Sequence, residues 1–388
     1  MMRAHHIPSG GFQNPWPPKA NLLDSVGAIL RIPLSKARTF ESPVDPAKTI
    51  PCNFDLPCEL QNSHFISATW LGHAGFYVEL PRSNAPQPIR VVFDPIFAER
   101  ASPSTWIGPR RYLSAPCEVV DLPGIDFVVI SHNHYDHLDI QCLRQIHARW
   151  PKAHFLVPLG VKRSITAEIN MEDSKIQEMD WWERSSFPIA DAVVEFICTP
   201  AQHNSGRGVF DQCKSLWSSW VVRQLSTSGS PPVASMYFAG DTGYLTASGP
   251  CPAFKEIGER YGPFDLAMIP IWRGASLSVL GRMGFRLKPD ATETLLSTLH
   301  ASPTDAVSLA KDVRANKAIA MHYGTFCGSE DEAMEPLVLL RDELQRQNSS
   351  WIEKGGRIWK DDGFGAVDVG ETVFIPLHVE SEQPVFIS

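Results

Sequence analysis

The chain has 388 residues, 43% of them hydrophobic, and a formal net charge of −8. That length supports one large domain or two modest ones around a sizeable core, and the acidic balance excludes a global basic field for nucleic acid. Eight cysteines without a CxxC pair exclude a zinc ribbon and a small disulfide scaffold, and fit free thiols in a reducing compartment.

Residues 1–62 are proline-rich and break regular structure often. They read as an N-terminal extension packed on or beside the core, with a lipid contact as one role. One short helix is expected there, with Leu22, Leu23, Val26, Ile29 and Leu30 on one face. The first residues lack the apolar centre of a signal peptide, and no stretch approaches the ~20 apolar residues of a membrane span. The expectation is an intracellular protein, cytosolic or peripherally membrane-associated, and not secreted. From residue 63 to 388 the pattern is that of one domain. Strand-like apolar runs recur: FISATWLG, GFYVEL, IRVVFDP, DFVVISH, HFLVP, AVVEFICTP, SSWVVRQL, SMYFAGD, DLAMIPIW and AIAMHYG. Helical spacing appears between them, in LDIQCLRQIHARW and PTDAVSLAKDVRANKA. Strands with interspersed helices point to an α+β fold of four layers, a sheet sandwich with outer helices.

Several of these runs end in a residue able to bind metal: FVVIS before His132, VEFICTPAQ before His203, MYFAG before Asp241 and AIAM before His322. Functional groups collect on loops at strand ends, so strands distant in sequence would deliver one site. The segment His132-Asn133-His134-Tyr135-Asp136-His137 is an HxHxDH motif. Imidazole and carboxylate are the usual nitrogen and oxygen ligands of zinc. His132 and His134, two apart in extended backbone, point the same way and suit one ion; the turn after them sends Asp136 and His137 to a second. Iron and manganese also accept this ligand set.

The HxHxDH motif followed by distant His, Asp and His resembles the metallo-β-lactamase superfamily. That resemblance implies an αββα sandwich with two metals at one edge of the sheets. By position, His132, His134 and His203 would bind the first metal, Asp136, His137 and His322 the second, and Asp241 both. Two zinc ions are the expected cofactors. Roughly 4 Å apart, such ions activate water and clamp the oxygens of a phosphoryl or acyl group, with no serine or cysteine nucleophile.

Further blocks resemble the N-acylphosphatidylethanolamine phospholipase D-like family within that superfamily. They include FQNPWP (12–17), TWLGHAGFYVE (69–79), FDPIF (93–97), ASPSTWIGPRRY (101–112), MDWWE (179–183), LWSSW (216–220), IGERYGPFDLAMIPI (257–271) and MHYGTF (321–326), in order along the chain. The resemblance implies hydrolysis of the phosphodiester of N-acylated phosphatidylethanolamine by a metal-bridging hydroxide, giving an N-acylethanolamine and phosphatidic acid. It also implies peripheral membrane contact and a homodimer. Catalytic roles would fall to Asp136, Asp241 and His300, the last touching phosphate or leaving group. Asp94 would orient a ligand imidazole, or else act as a turn residue before Pro95. Asp139 would support the metal-binding loop from beside Tyr135, and His73 would serve a structural turn.

The resemblance weakens after Pro270-Ile271, where WRGASLSVLGRMGFRLKPDATETLLST begins. Leu277, Leu280, Gly284 and Leu287 share one helical face there, and Arg273, Arg282, Arg286 and Lys288 add positive charge. Such a segment suits a membrane interface or a core-packed helix. Arg273, Leu277, Leu280 and Asn204 are the expected substrate contacts. The preferred reading is a zinc-dependent lipid phosphodiesterase acting on a phospholipid or other acylated small molecule. A same-fold hydrolase of a lactone, amide or thioester stands as the alternative, and a lipid-binding protein with a vestigial metal site as one from another class. A nuclease is disfavoured, because no basic groove laced with aromatics is present and no nucleic-acid partner is expected.

Overall fold

The computed structural model describes residues 3–17, 45–60, 64–82, 87–189, 192–208, 210–226, 232–272 and 299–377, with the side chain of Cys58 excepted, and gives residues 34–36, 229–231 and 285–287 by their backbone. Two sheets dominate. The first has seven strands in the order β19-β2-β3-β4-β5-β6-β7: β2 (Phe65–Gly72), β3 (Gly75–Leu80), β4 (Ile89–Phe93), β5 (Phe127–Val129), β6 (His154–Pro158), β7 (Ile176–Met179) and β19 (Thr372–Pro376). The second has eight, in the order β17-β18-β16-β14-β11-β10-β9-β8. These are β8 (Arg184–Ile189), β9 (Ala192–Thr199), β10 (Ser219–Ser226), β11 (Gly229–Phe238), β14 (Leu266–Pro270), β16 (Lys317–Met321), β17 (Trp351–Ile352) and β18 (Gly363–Gly365). Two-strand ribbons complete the set: β1 (Leu34–Lys36) with β15 (Phe285–Leu287), and β12 (Leu245–Thr246) with β13 (Gly249–Pro250).

Period-2 alternation explains the layering. In β4 and β5, Val91, Phe93, Phe127 and Val129 face one core, while Val92 and Val128 face another. The first core lies between the sheets and joins Trp70, Phe76 and Val78 to Phe196, Trp220 and Met236. The second packs Tyr77, Val92 and Val128 against helix α1 (Ile140–Arg149), through Leu143 and Ile146, and against α2 (Val161–Thr166), through Val161 and Ile165. Over the second sheet lie α3 (Pro252–Tyr261) and α4 (Pro303–Asp312), which contact each other. The order is helix, sheet, sheet, helix, as the motif implied. A fifth helix, α5 (Glu330–Arg346), packs against α4.

Strand direction makes the site edge. β4, β5 and β6 run parallel, as do β11, β14 and β16. Two antiparallel steps bring β2 into line with β4, and β9 into line with β11. The loops after β2, β4, β5, β9, β11 and β16 therefore leave from one edge.

Residues 285–287 depart from the expected helix. They form a strand antiparallel to β1, with Arg286 opposite Ser35 and Leu287 opposite Leu34. Local spacing cannot reveal a partner some 250 residues away, and the β-compatible triplet FRL takes the extended form where a free edge is offered. The expected helix around Leu22–Leu30 lies outside the described residues, as do Arg273, Leu277, Leu280, Arg282, Gly284 and Lys288. Residues 3–17 do not stand apart: Phe12 belongs to the core between the sheets. Among the described residues, no helix is long and apolar enough to cross a membrane.

Candidate metal centre

Two groups of ligand atoms meet at the shared edge. His132, His134, His203 and Asp241 form one; His73, Asp136, His137 and His322 form the other. Asp241 links them, with Oδ2 3.2 Å from His137 Nε2 and 3.5 Å from His203 Nε2, and Oδ1 2.7 Å from His322 Nε2. His300 joins at the margin, its Nδ1 3.8 Å from Asp241 Oδ2. Most of the cluster is buried, whereas His134, Asp136 and His300 are only partly covered. The open side of the site is therefore theirs.

Local backbone explains why these residues converge. The β2–β3 turn places His73 at φ 55°, and the ends of β4 and β16 place Asp94 at φ 36° and His322 at φ 64°. Such left-handed positions are uncommon without glycine. Gly240 (φ 57°) precedes Asp241, and a Cβ there would stand 2.6 Å from Ser131 Cβ and 2.9 Å from Ser218 O. Only a bare backbone lets the Asp241 loop lie against the His132 loop.

Outer hydrogen bonds orient the rings. A carbonyl can only accept, so His203 carries its proton on Nδ1, 2.8 Å from Leu299 O, and His322 on Nδ1, 3.0 Å from Trp272 O. His137 Nδ1 meets Asp94 Oδ2 at 2.7 Å. Ser131 Oγ donates to that carboxylate at 2.5 Å and so receives His132 Nδ1 at 2.9 Å. His132, His203 and His322 are each left with an Nε2 lone pair turned inward. The outcome is a set of close nitrogen pairs: His137 Nε2 and His322 Nε2 at 3.2 Å, and His134 Nδ1 at 2.8 Å from His132 Nε2 and 3.3 Å from His203 Nε2. Asp241 Oδ1 is buried without a hydrogen bond. Facing lone pairs beside an unsatisfied carboxylate fit cations placed among them.

The charges agree. Burial and the neighbouring imidazoles push His132 well below its ordinary value, and burial does the same to His203 against the pull of Asp241. Burial opposes the charge on Asp241, yet His137 and His322 hold its carboxyl well below the usual range. His137 runs the other way: against burial, Asp241 and Asp94 raise it well above its ordinary value. A metal takes neutral imidazole and ionised carboxylate, so binding there would displace the His137 proton. Burial lowers His300 to about 4.

Asp94 touches a candidate ligand, His137. Asp139 does not. It caps α1 by accepting from Gln141 N and Cys142 N, and its Oδ2 accepts from Phe97 N and Ala98 N; it staples the loop after β4 to the metal-binding segment. Asn204 is half-buried beside His203. His73 does more than the turn role expected of it: its Nε2 lies 3.0 Å from Asp136 Oδ2. The LGHAG turn hinted at a special backbone, but only the fold brings that ring to Asp136. Arg207 was also missed. It bonds Asn133 O and Leu138 O, and its guanidinium covers the Tyr135 ring at 3.9 Å.

Residues 89–323 match the Beta-lactamase superfamily domain. The chain is 34% identical over 326 residues to N-acyl-phosphatidylethanolamine-hydrolyzing phospholipase D 1 of Caenorhabditis elegans, covering 83% of this chain and 80% of that protein. It is 30% identical over 268 residues to the mitochondrial N-acyl-phosphatidylethanolamine-hydrolyzing phospholipase D of Saccharomyces cerevisiae, covering 69% of this chain and 49% of the yeast protein. Among solved structures, an isothiocyanate hydrolase from Delia radicum gut bacteria superposes with a TM-score of 0.51 at 16% identity, over 80% of this chain and 99% of that one. At that identity the likeness is one of fold. Fold, converging ligands and sequence agree that the chain belongs to the metallo-β-lactamase superfamily of metal-dependent hydrolases, among the N-acylphosphatidylethanolamine phospholipase D-like proteins.

Proposed function

We propose that this hydrolase is a phospholipase D-type phosphodiesterase of N-acylated phosphatidylethanolamine that uses two zinc ions. His132, His134 and His203 would hold one ion, Asp136, His137 and His322 the other, and Asp241 both. Bound zinc supplies Lewis acidity toward phosphoryl oxygens and activated water. The chain's part is to orient the ligand rings through Asp94, Ser131 and the carbonyls of Leu299 and Trp272, and to fix Asp136 through His73. His300, on the open side, is placed to hydrogen-bond the phosphate or the departing ethanolamide oxygen. In the net reaction water oxygen bonds to phosphorus, the phosphorus–ethanolamide oxygen bond breaks, and a proton passes to the leaving oxygen.

Beyond relatedness, one observation supports a lipid substrate. Trp106 is 86% exposed, Ile107 71% and Phe210 97%. Trp106 and Ile107 sit on an ordered tip: Ser104 Oγ accepts from both their amides, and Arg100 bonds Thr105 O and Gly108 O. Phe210 follows Arg207. Both loops are anchored to the metal-binding segment, one through Asp139 and one through Arg207. Large apolar groups held out to water beside cationic bases suit an anionic membrane surface.

Vesicles containing N-acylphosphatidylethanolamine, incubated with metal-loaded protein, should release N-acylethanolamine and phosphatidic acid, and a chelator should stop it. Intact lipid with two equivalents of metal verified in the protein would reject the reading. Hydrolysis of lactones, amides or thioesters instead would assign the site to acyl chemistry.

A further inference from the structure

Residues 3–17 form a strap across the loop that delivers His203. Asn14 Nδ2 donates to His203 O at 2.7 Å, and Trp217 Nε1 donates to Asn14 Oδ1 at 3.2 Å. An indole can only donate and a carbonyl can only accept, so the Asn14 amide has one orientation. On either side, Phe12 N bonds Cys213 O at 2.8 Å and Gln202 Nε2 bonds Trp16 O at 3.2 Å. Ala247 N, in the stretch after Asp241, bonds Pro17 O at 2.9 Å. The strap thus bonds both the loop that carries His203 and the turn that follows Asp241.

Its far end is clasped. Arg3 Nη1, His5 Nε2 and His6 Nε2 reach the carboxylate of Asp180 at 2.6, 2.6 and 2.7 Å, and Trp181 N adds a fourth bond at 2.8 Å. His5, His6 and Asp180 have the spacing of a metal site. The Arg3 guanidinium already neutralises that carboxylate, which makes the group an ion-pair clasp. The rings of His5 and Trp16 lie against Trp181, 4.2 and 6.0 Å between centroids.

We infer that Asn14 is a positioning residue of the metal centre: by holding the His203 carbonyl, it sets the backbone from which the His203 ring reaches the first ion. The inference rests on His203 being a ligand and not on the identity of the substrate. A carbonyl held from one side and a ring nitrogen held at Leu299 from the other leave the imidazole little freedom. A ligand so fixed does not have to be ordered when the cation arrives.

The test is metal binding to the full chain. Apo-protein is titrated with Zn²⁺ against a chromophoric chelator, and the cobalt-substituted protein is read by its visible absorption. Asn14→Asp keeps the acceptor for Trp217 but turns an oxygen toward His203 O. It should weaken one of two equivalents about tenfold and alter the cobalt spectrum. Gln13→Ala, on the same strap and exposed, should do neither. Trp217→Phe removes the donor that orients Asn14, together with its bond to Ala201 O, while filling the core, and should weaken the same equivalent; Asn14→Ala, which removes the Asn14 amide alone, serves beside it if Asn14→Asp fails to fold. Wild-type affinity and spectrum in the folded Asn14 and Trp217 variants would overturn the inference. So would an equal loss in Gln13→Ala, which would mark a general loosening of the strap. Weakened binding in a protein that leaves lipid intact would uphold Asn14 and reject the lipid reading alone.

Discussion

Replacing Asp94 by asparagine separates its charge from its shape. The carboxylate is fully buried and accepts from Ser131 N at 2.7 Å, Ser131 Oγ at 2.5 Å and His137 Nδ1 at 2.7 Å. Burial raises this carboxyl, and the hydrogen bonds oppose that rise. Asparagine keeps the size and tolerates φ 36°. Its carbonyl can still serve Ser131 N, but its NH₂ then faces two donors, Ser131 Oγ–H and His137 Nδ1–H. Relief comes if His137 moves its proton to Nε2, which removes the lone pair that faces Asp241 and His322. Loss of such an outer partner lowers metal affinity about 10- to 100-fold, or about 1.4–2.7 kcal/mol. The mispaired buried groups cost about 1–3 kcal/mol of apo stability. Chelator competition measures the first quantity and urea unfolding of the apo-protein the second. If the variant loses stability but binds both equivalents as tightly as wild type, Asp94 is a turn residue before Pro95 and the orientation argument fails.

Gly240→Ala should destabilise the fold by about 1–3 kcal/mol, because its Cβ meets Ser131 Cβ at 2.6 Å; an unchanged urea midpoint would refute the close approach. Asp180 supplies a pH dependence. Burial raises its carboxyl, but the hydrogen bonds from His5 and His6 outweigh this and hold it at about 2. A depressed carboxyl contributes stability above its unfolded value, near 3.9, and loses it as pH falls toward 2. The urea midpoint of wild type should therefore drop more steeply between pH 4 and 2 than that of Asp180→Asn, and parallel curves would count against the clasp. Changing Trp106 or Phe210 to Ser should lower partitioning onto anionic vesicles roughly tenfold, since burying such a side chain contributes about 1.5–3 kcal/mol. Metal content should stay constant, and unchanged vesicle binding in sedimentation would remove the rim from the lipid reading.

The ten apolar runs named in the sequence all correspond to strands, and LDIQCLRQIHARW and PTDAVSLAKDVRANKA to helices α1 and α4, whereas the helical face drawn through Leu287 ends in a strand. Period-2 and period-3.6 spacing are local properties, so this much is legible without the fold. The same locality hides β1–β15, whose members are paired across some 250 residues. It also leaves Asp139 ambiguous, where a carboxylate beside a metal motif is, at the same time, an N-cap one residue before a helix. Cap and supporting role have the same sequence signature, and Asp139 fills both, capping α1 with Oδ1 and holding the loop after β4 with Oδ2. His73 shows the opposite error. Its turn geometry was legible, but its side-chain partner Asp136 lies 63 positions away.

The HxHxDH motif and the apolar runs before His203, Asp241 and His322 determined the residue types, the strand framework and the family, because ligand chemistry and side-chain period are written in neighbouring letters. Which ring nitrogen faces inward was decided only by tertiary structure, through Ser131, Asp94, Leu299 O and Trp272 O. So was the union of the N-terminal strap with the His203 loop, through Asn14. Hydrogen bonds are directional and act over about 3 Å, so a contact between positions 14 and 203 exists only once two sheets have brought them together.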